Sequence, residues 1–144
     1  MESWKMAAIL TGVTYGLYNV FTRLAAGKVS DVLGAGLMEI VAAAVLVLVA
    51  SGLYLRDPSV IQWTKAGLFL SALAGLSIAI LSVLYLMTFR LGAPLSVAGP
   101  AIVVIGSAVM VFVGLICLRE PFTMRLAFGI VLGFSSIYLL MSQS

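Results

Sequence analysis

The stretch that decides the fold is TFRLGAPLSVAGP, residues 88–100, because it holds Arg90, the single charged residue within residues 66–118. A helix rises about 1.5 Å per residue, so one helix over residues 66–118 would be about 80 Å long. That is more than twice the roughly 30 Å of a bilayer's hydrocarbon core. Gly92 and Pro94 interrupt the helical pattern beside Arg90. The chain is therefore expected to turn there and to pass back.

The composition of the whole chain indicates where these helices lie. The chain has 144 residues, of which 63% are hydrophobic and 9% are charged. A soluble domain has roughly 25% charged and 45–50% apolar residues. The composition predicts an all-α integral membrane protein. The net charge of +3 comes from charges scattered singly along the sequence, so we expect no nucleic-acid partner.

Polar breaks divide the chain into five apolar runs, each close to the roughly 20 residues that a membrane-spanning helix needs. The predicted helices cover residues 6–25, 33–55, 66–89, 95–118 and 125–141. The loops are short, so we expect a single membrane domain over residues 1–144. The charged turn in LICLREPFTMRLAFG, residues 115–129, then joins the last two helices, with Glu120 as a turn and capping residue ahead of the fifth.

The positive charges favour one orientation of the five helices, which place the two termini on opposite sides. The N-terminal side holds Lys5, Arg56, Lys65, Arg119 and Arg125, and the other side holds Arg23, Lys28 and Arg90. By the positive-inside rule, this difference favours a cytoplasmic N-terminus for a multi-pass protein of the cell's inner (plasma) membrane. The difference is small, so insertion in both orientations remains an alternative.

Several kinds of site are absent from the sequence. The chain has no His, and its one cysteine, Cys117, lies in an apolar run where a small buried residue is expected. No Ser/His/Asp set, phosphate-cradling loop or metal cluster is visible. We therefore expect a protein that is not an enzyme and that carries neither cofactor nor metal.

Glu39 is the main anomaly, because it lies seven residues into the second apolar run, about 10 Å deep. A carboxylate near a helix centre costs roughly 2.5–3.5 kcal/mol to insert. One interpretation is a group that binds a proton, a cation or the substrate. The alternatives are a structural ion pair with Arg23, Lys28 or Arg90, and a side chain that reaches to the membrane surface.

The first helix carries a polar stripe. At 100° per residue, six polar side chains lie within an arc of about 140°. They are Thr11, Thr14, Tyr15, Tyr18, Asn19 and Thr22. The stripe either lines a substrate cavity or makes hydrogen bonds between helices, which are worth only about 0.6 kcal/mol each on average.

Later helices add weaker candidates. Ser71, Gly75, Ser82 and Tyr85 share a face of the third helix. Pro100, early in the fourth helix, frees backbone carbonyls that a cavity or ligand could use. The alternative is a kink that serves helix packing alone. The candidate substrate and coupling residues are Glu39, Thr11, Thr14, Tyr15, Tyr18, Asn19, Ser71, Tyr85 and Pro100.

Residues 84–141 resemble the EamA domain of the drug/metabolite transporter superfamily. The matching positions are the turn at residues 91–96, Pro100, Glu120, Thr123, Gly129 and Gly133. Arg119 replaces the family's usual glycine before the glutamate, Tyr15-Gly16 stands where Trp-Gly is common, and Glu39 lies near the family's frequent helix-two arginine. The resemblance covers the whole chain, more loosely before residue 84. Most members have ten helices built from two such units, and this chain is similar to the short five-helix bacterial and archaeal branch.

The resemblance implies a secondary transporter that moves a small organic solute or metabolite by alternating access. Its cavity would lie between the first four helices, with Glu39 as the leading coupling or binding group. One alternative is a non-transporting membrane subunit or scaffold. Another is a small-multidrug-type proton antiporter of cations, although that group keeps its acid in helix one, where this chain has none.

The odd number of helices also bears on assembly. A second five-helix unit fused after the first is inverted, so ten-helix relatives are expected to be inverted repeats with the site between them. A single unit rebuilds that arrangement by pairing with an oppositely inserted copy. We therefore expect an antiparallel homodimer in the bilayer; a parallel dimer or a monomer is the alternative.

Overall fold

The computed structural model describes residues 3–142, and this part of the chain is helical throughout apart from short connections. The helices are α1 (Ser3–Ala25), α2 (Asp31–Arg56), α3 (Lys65–Arg90), α4 (Leu95–Ile116) and α5 (Met124–Met141), with a single 3-10 turn at Pro58–Val60. No β-strand occurs in residues 3–142. The prediction of an all-α fold with five helices is confirmed, and the helix ends lie within one turn of the predicted limits.

Three of these helices, α2, α3 and α4, are long and apolar enough to cross a membrane. They indicate a membrane-embedded protein, in agreement with the composition. The polar stripe makes α1 less apolar than these three helices. In α5, the first continuous run of residues whose side chains the structure describes forms the apolar segment Met124–Ser136.

The turn that the sequence placed beside Arg90 is also where the fold divides. Helices α1 to α3 form one compact unit, and α4 and α5 form a second, with the boundary between Leu91 and Gly92. Gly92 has a φ of +96°, in the left-handed region that favours glycine. Pro94 then precedes the first residue of α4, where its fixed φ suits a helix start.

Two polar contacts hold α2 and α3 side by side in antiparallel register. Arg90 Nε lies 2.9 Å from Asp31 Oδ2 at one end of the pair. Inside the pair, the Ser82 hydroxyl donates to Glu39 Oε1 at 2.7 Å. The step from Asp31 to Glu39 and the step from Arg90 back to Ser82 are both eight residues long, so the two contacts belong to one straight antiparallel register.

Between these two polar contacts, the close approach of α2 to α3 depends on Gly34. A Cβ atom at this position would lie 2.8 Å from Val29 Cγ2 and 2.9 Å from Leu86 Cδ1. Leu86 is fully buried, so its side chain has little room to move away. The missing Cβ of Gly34 therefore allows α2 to pack directly on α3.

The loop between α2 and α3 is stabilised locally. The Asp57 carboxylate accepts hydrogen bonds from the Ser59 hydroxyl at 2.7 Å and from the Ser59 amide at 2.9 Å. These bonds favour the charged form and lower the pKa of Asp57 below its ordinary value. Asp57 thereby caps the 3-10 turn without contributing to any of the helix packing.

The turn after α4 departs from two sequence expectations. Thr123, and not Glu120, caps α5: the Thr123 hydroxyl accepts from the Leu126 amide at 3.2 Å. The Glu120 carboxylate lies back against the end of α4, where a Cβ on Gly114 would be 2.7 Å from its Oε2. The expectation that Cys117 is buried is also wrong, because Cys117 follows the last residue of α4 and is exposed.

Arg119 occupies a glycine-like position in the same turn. Its φ is +54°, in the left-handed region where a side chain is costly. The Glu120 amide donates to the Gly114 carbonyl at 3.0 Å, which closes the chain around Arg119.

We predict that Gly34→Ala destabilises the protein relative to Gly36→Ala. Gly36 lies on the same helix with nothing within 4 Å of an added Cβ, so alanine there should be neutral or stabilising. At Gly34 the added methyl should cost about 1–3 kcal/mol from overpacking. Thermal unfolding in detergent measures both. Equal midpoints for the two variants would contradict the close α2–α3 approach.

We predict that Arg119→Gly stabilises the protein by about 1 kcal/mol, because glycine adopts a positive φ without a steric cost. Arg119→Ala is the matched control, since it removes the charged side chain and keeps the Cβ. The glycine variant should unfold at a higher temperature than the alanine variant. The reverse order would contradict the positive φ at position 119, because the two variants differ only in the Cβ atom.

Candidate functional site

An open groove of about 670 Å³ runs along the first unit between α1, α2 and α3. It is lined by Tyr15, Tyr18, Leu37, Met38, Glu39, Val41, Ala42, Ile78, Leu81 and Ser82. Most of this lining is apolar, and Glu39 is its one ionisable carboxylate. The groove therefore combines an apolar wall with a single negative charge and two tyrosines, the mixture expected of a small-molecule site.

The Glu39 carboxylate is held by a hydroxyl and not by a cation. Ser82, which is buried, donates to its Oε1 at 2.7 Å. Within residues 3–142 no ion pair involves Glu39, and Arg90, one of the cations considered as its partner, is paired with Asp31. The reason is position: Arg90 ends α3 two turns beyond Ser82, level with the first residue of α2 and about 12 Å from Glu39 along the helix.

The second carboxylate oxygen, Oε2 of Glu39, has no hydrogen-bond partner among the described residues. In that part of the chain, no buried side-chain nitrogen or oxygen lacks a partner. Oε2 is therefore not sealed in the protein, and Glu39 lines the groove. One oxygen of the carboxylate is fixed by Ser82, and the other is open to whatever occupies the groove.

A directional chain of hydrogen bonds joins α1 to α3 beside the groove. The Tyr85 hydroxyl donates to Asn19 Oδ1, and Asn19 Nδ2 donates to the Tyr15 carbonyl at 2.7 Å. The hydroxyls of Tyr15 and Tyr85 are 3.0 Å apart. Because Tyr85 has one proton and gives it to Asn19, Tyr15 must be the donor in this second bond. The Tyr15 hydroxyl therefore presents only acceptor lone pairs to other groups.

Stacked and edge-on rings make the wall around these hydroxyls rigid. The Tyr15 and Tyr18 ring centroids are 6.2 Å apart, and those of Tyr18 and Tyr85 are 6.0 Å apart. Phe89 meets Tyr85 edge to face at 5.2 Å. Such arrangements are favourable beyond simple burial. Tyr85 and Phe89 are buried, while Tyr15 and Tyr18 are partly exposed and line the groove.

The polar stripe of α1 divides into two parts with different surroundings. Thr11 and Thr14 are exposed, and their hydroxyls donate to the carbonyls of Ala7 and Leu10 in the same helix. Neither lines the groove. Asn19 and Thr22, at the other end of the stripe, are buried. The structure thus brings the middle of the stripe, and not its whole length, to Glu39.

Two further sequence candidates also lie away from the groove. Ser71 is exposed on α3, about 16 Å along the helix from Ser82. Pro100 is exposed within α4, in the second unit. Tyr85 contributes from behind, through its contacts with Tyr15 and Tyr18, and is not a lining residue.

Sequence reasoning missed the partner of Glu39 and the apolar wall. Ser82 had been placed on a polar face of α3, but nothing in the periodicity linked it to Glu39. One signal could have linked them. Glu39 lies eight residues after Asp31, and Ser82 lies eight residues before Arg90, so an ion pair between Asp31 and Arg90 would bring Ser82 opposite Glu39. The wall residues, such as Val41 and Ile78, carry no signal, because apolar side chains that face lipid and those that face a groove look alike in sequence.

The second unit also has grooves. One lies along α4 and the turn after it, where Glu120 supplies a carboxylate but no second helix contributes to the lining. Another, of about 410 Å³, lies between α4 and α5. Its polar lining consists of Ser107 and Arg125, and the Ser107 hydroxyl donates to the Val103 carbonyl within its own helix. No carboxylate lines it. The groove of the first unit is therefore the better candidate site.

The described residues include no group of three or more His, Cys, Asp or Glu that could hold a metal ion. Comparison of the chain with protein-family models, with curated proteins and with solved structures finds no match.

We predict that Tyr85→Phe destabilises the protein by about 1–2 kcal/mol, because it leaves the buried Asn19 Oδ1 without a donor. Tyr54→Phe is the control, since Tyr54 is exposed on α2. Chemical or thermal unfolding in detergent compares the two variants. If both behave like the parent protein, the hydrogen-bond chain does not contribute to the packing of α1 on α3.

Proposed function

We propose that this protein is a secondary transporter that moves a small organic solute across the membrane by alternating access. The observation that carries the proposal is the Glu39 carboxylate, with one oxygen bonded to Ser82 and the other open to an apolar groove. A second copy of the chain completes the transporter as an antiparallel homodimer.

Placing the charge of Glu39 within a membrane-length helix has a free-energy cost. An ionised side chain within a helix of membrane length is expensive unless it is paired or faces water. A carboxylate that served structure alone would be expected to have a cationic partner, and within residues 3–142 no ion pair involves Glu39. Glu39 keeps its exposed oxygen in a groove whose apolar wall suits a carbon skeleton, and this favours a binding role.

The helices that are less clearly membrane-spanning fit the same proposal. We propose that α1 and α5 also cross the bilayer, so that five spans form one EamA-like unit. Asn19 and Thr22 of the polar stripe are buried in the protein, so these polar side chains of α1 do not face lipid. The resemblance over residues 84–141, and the glycine-like φ of Arg119 where that family has glycine, support membership of the superfamily.

A scaffold or non-transporting subunit is the rival function. Such a protein needs apolar helices and contact surfaces, but it gains nothing from a carboxylate held open in a groove. The groove, which α1, α2 and α3 line together, therefore favours transport over a purely structural role.

Transport is tested in proteoliposomes supplied with a defined mixture of amines, amino acids, sugars and nucleosides, with uptake followed by mass spectrometry. We expect at least one solute to accumulate above the level in protein-free vesicles. Glu39→Gln should reduce that accumulation about tenfold or more, since it removes the groove's charge. Asp57→Asn, the same change outside the groove, should leave uptake unchanged. No accumulation by the parent protein would contradict the proposal.

The antiparallel pair is tested by fusing the C-terminus to two reporters that are active on opposite sides of the membrane. Signal from both reporters is expected, because the positive charges differ little between the two sides of the predicted topology. Adding several lysines to one end should then shift the balance and reduce uptake. Signal from one side alone would exclude dual insertion.

A further inference from the structure

We infer that the groove of the first unit binds a protonated primary or secondary amine carried on an apolar body. The inference deepens the proposed function, on which it rests for the interpretation of the groove as a solute site. Three features of the groove lead to it: its charge, its hydrogen-bonding capacity and its rings.

Charge gives the sign of the ligand. Glu39 is the one ionisable carboxylate in the lining, and no ion pair within residues 3–142 neutralises it. A cationic ligand supplies the missing positive charge, whereas an anion would meet repulsion. A bare metal ion is a poorer match, because hard cations take about six or more oxygen ligands. The lining offers one carboxylate, one hydroxyl already in use and two phenols.

Hydrogen bonding narrows the cation to one with N–H groups. The Ser82 proton is used on Glu39 Oε1, and the Tyr15 proton is used on the Tyr85 hydroxyl. Glu39 Oε2 and the Tyr15 hydroxyl oxygen remain as acceptors, and the Tyr18 hydroxyl, which makes no hydrogen bond among the described residues, can donate or accept. An ammonium group with N–H donors satisfies the carboxylate by a charge-assisted hydrogen bond, and a quaternary ammonium cannot.

The rings and the wall account for the rest of the ligand. The rings of Tyr15 and Tyr18 line the groove. A cation over the face of an aromatic ring is attracted within about 6 Å of the ring centre. The wall adds Leu37, Val41, Ile78 and Leu81, which contact an apolar body and have no hydrogen-bonding groups in their side chains. Ser82 acts as a positioning residue, because it fixes one carboxylate oxygen and leaves the other free.

The first experiment needs no variant. Four related compounds are titrated into the purified homodimer in detergent by calorimetry: 4-phenylbutylammonium, its N,N,N-trimethyl derivative, 4-phenylbutanol and 5-phenylpentanoate. Heats measured in protein-free micelles are subtracted. We expect the primary ammonium to bind about tenfold or more tightly than the alcohol. It should bind about threefold or more tightly than the trimethyl compound, and the carboxylate should not bind. Equal affinities for the ammonium and the alcohol, or tighter binding of the trimethyl compound, would overturn the inference.

The second experiment assigns the binding to named residues. Glu39→Gln should weaken 4-phenylbutylammonium about tenfold or more and leave 4-phenylbutanol unchanged, whereas Asp57→Asn should change neither. Ser82→Ala should weaken the ammonium about threefold, with Ser77→Ala as control because the Ser77 hydroxyl bonds only the Leu73 carbonyl of its own helix. Thermal unfolding confirms that each variant is folded. Unchanged ammonium binding by folded Glu39→Gln would overturn the inference.

The outcomes separate this inference from the proposed function. If the ammonium binds through Glu39 but no solute accumulates in proteoliposomes, the site stands and the transport proposal fails. If proteoliposomes accumulate only neutral or anionic solutes, transport stands and the inference on ligand class fails.

Discussion

The antiparallel register of α2 and α3 is the constraint on which the rest of the site depends. At its end, Arg90 pairs with Asp31, and the two side chains are 47% and 12% exposed. A pair this exposed is worth little energy, about 1 kcal/mol or less. Its structural consequence is larger, because the same register leaves Arg90 about 12 Å along the helix from Glu39. The same register brings Ser82, a neutral donor, opposite Glu39 instead. The charge in the groove is thus left uncompensated by the way two helices align.

Helix α3 contacts both of the other helices that line the groove. It meets α2 through the Ser82–Glu39 contact and α1 through the hydroxyl of Tyr85. The second connection has a fixed direction, since the single proton of Tyr85 goes to Asn19 and forces Tyr15 to donate. A shift of α1 along α3 would break this chain at several points together. If the groove opens and closes, α1 would therefore switch between two packed positions on α3 and would not slide gradually.

Much of the fold was predictable from sequence, because it follows from local properties. Apolar length gives the helices, and Gly92 and Pro94 give the turn between α3 and α4. Glu39, Tyr15 and Tyr18 were also recognisable as unusual in an apolar chain. Periodicity places a residue on a face of its own helix, but it does not give the register between helices. For that reason, periodicity could not predict that Arg90 pairs with Asp31 or that Ser82 contacts Glu39.

The two threonines that lie away from the groove share a physical explanation. A threonine hydroxyl can bond the carbonyl four residues earlier in its own helix, as Thr11 and Thr14 do. Such a side chain satisfies itself and needs no cavity, so its polarity says little about function. Asn19 and Glu39 have more hydrogen-bonding atoms than their own helices can satisfy. Side chains of that kind require partners elsewhere, and they are the stronger indicators of a site.

Depth along the helix connects the groove to the proposed pairing of two copies. Glu39 lies about 12 Å from the start of α2, a helix about 38 Å long. In a parallel pair, both carboxylates would lie at one depth in the membrane. In an antiparallel pair, the partner's α2 is inverted, so the two carboxylates would lie at depths about 13 Å apart. Each would then be nearer to a different side of the membrane. A solute held at one carboxylate would have the second ahead of it on the way across, which gives the antiparallel arrangement a direct use in transport.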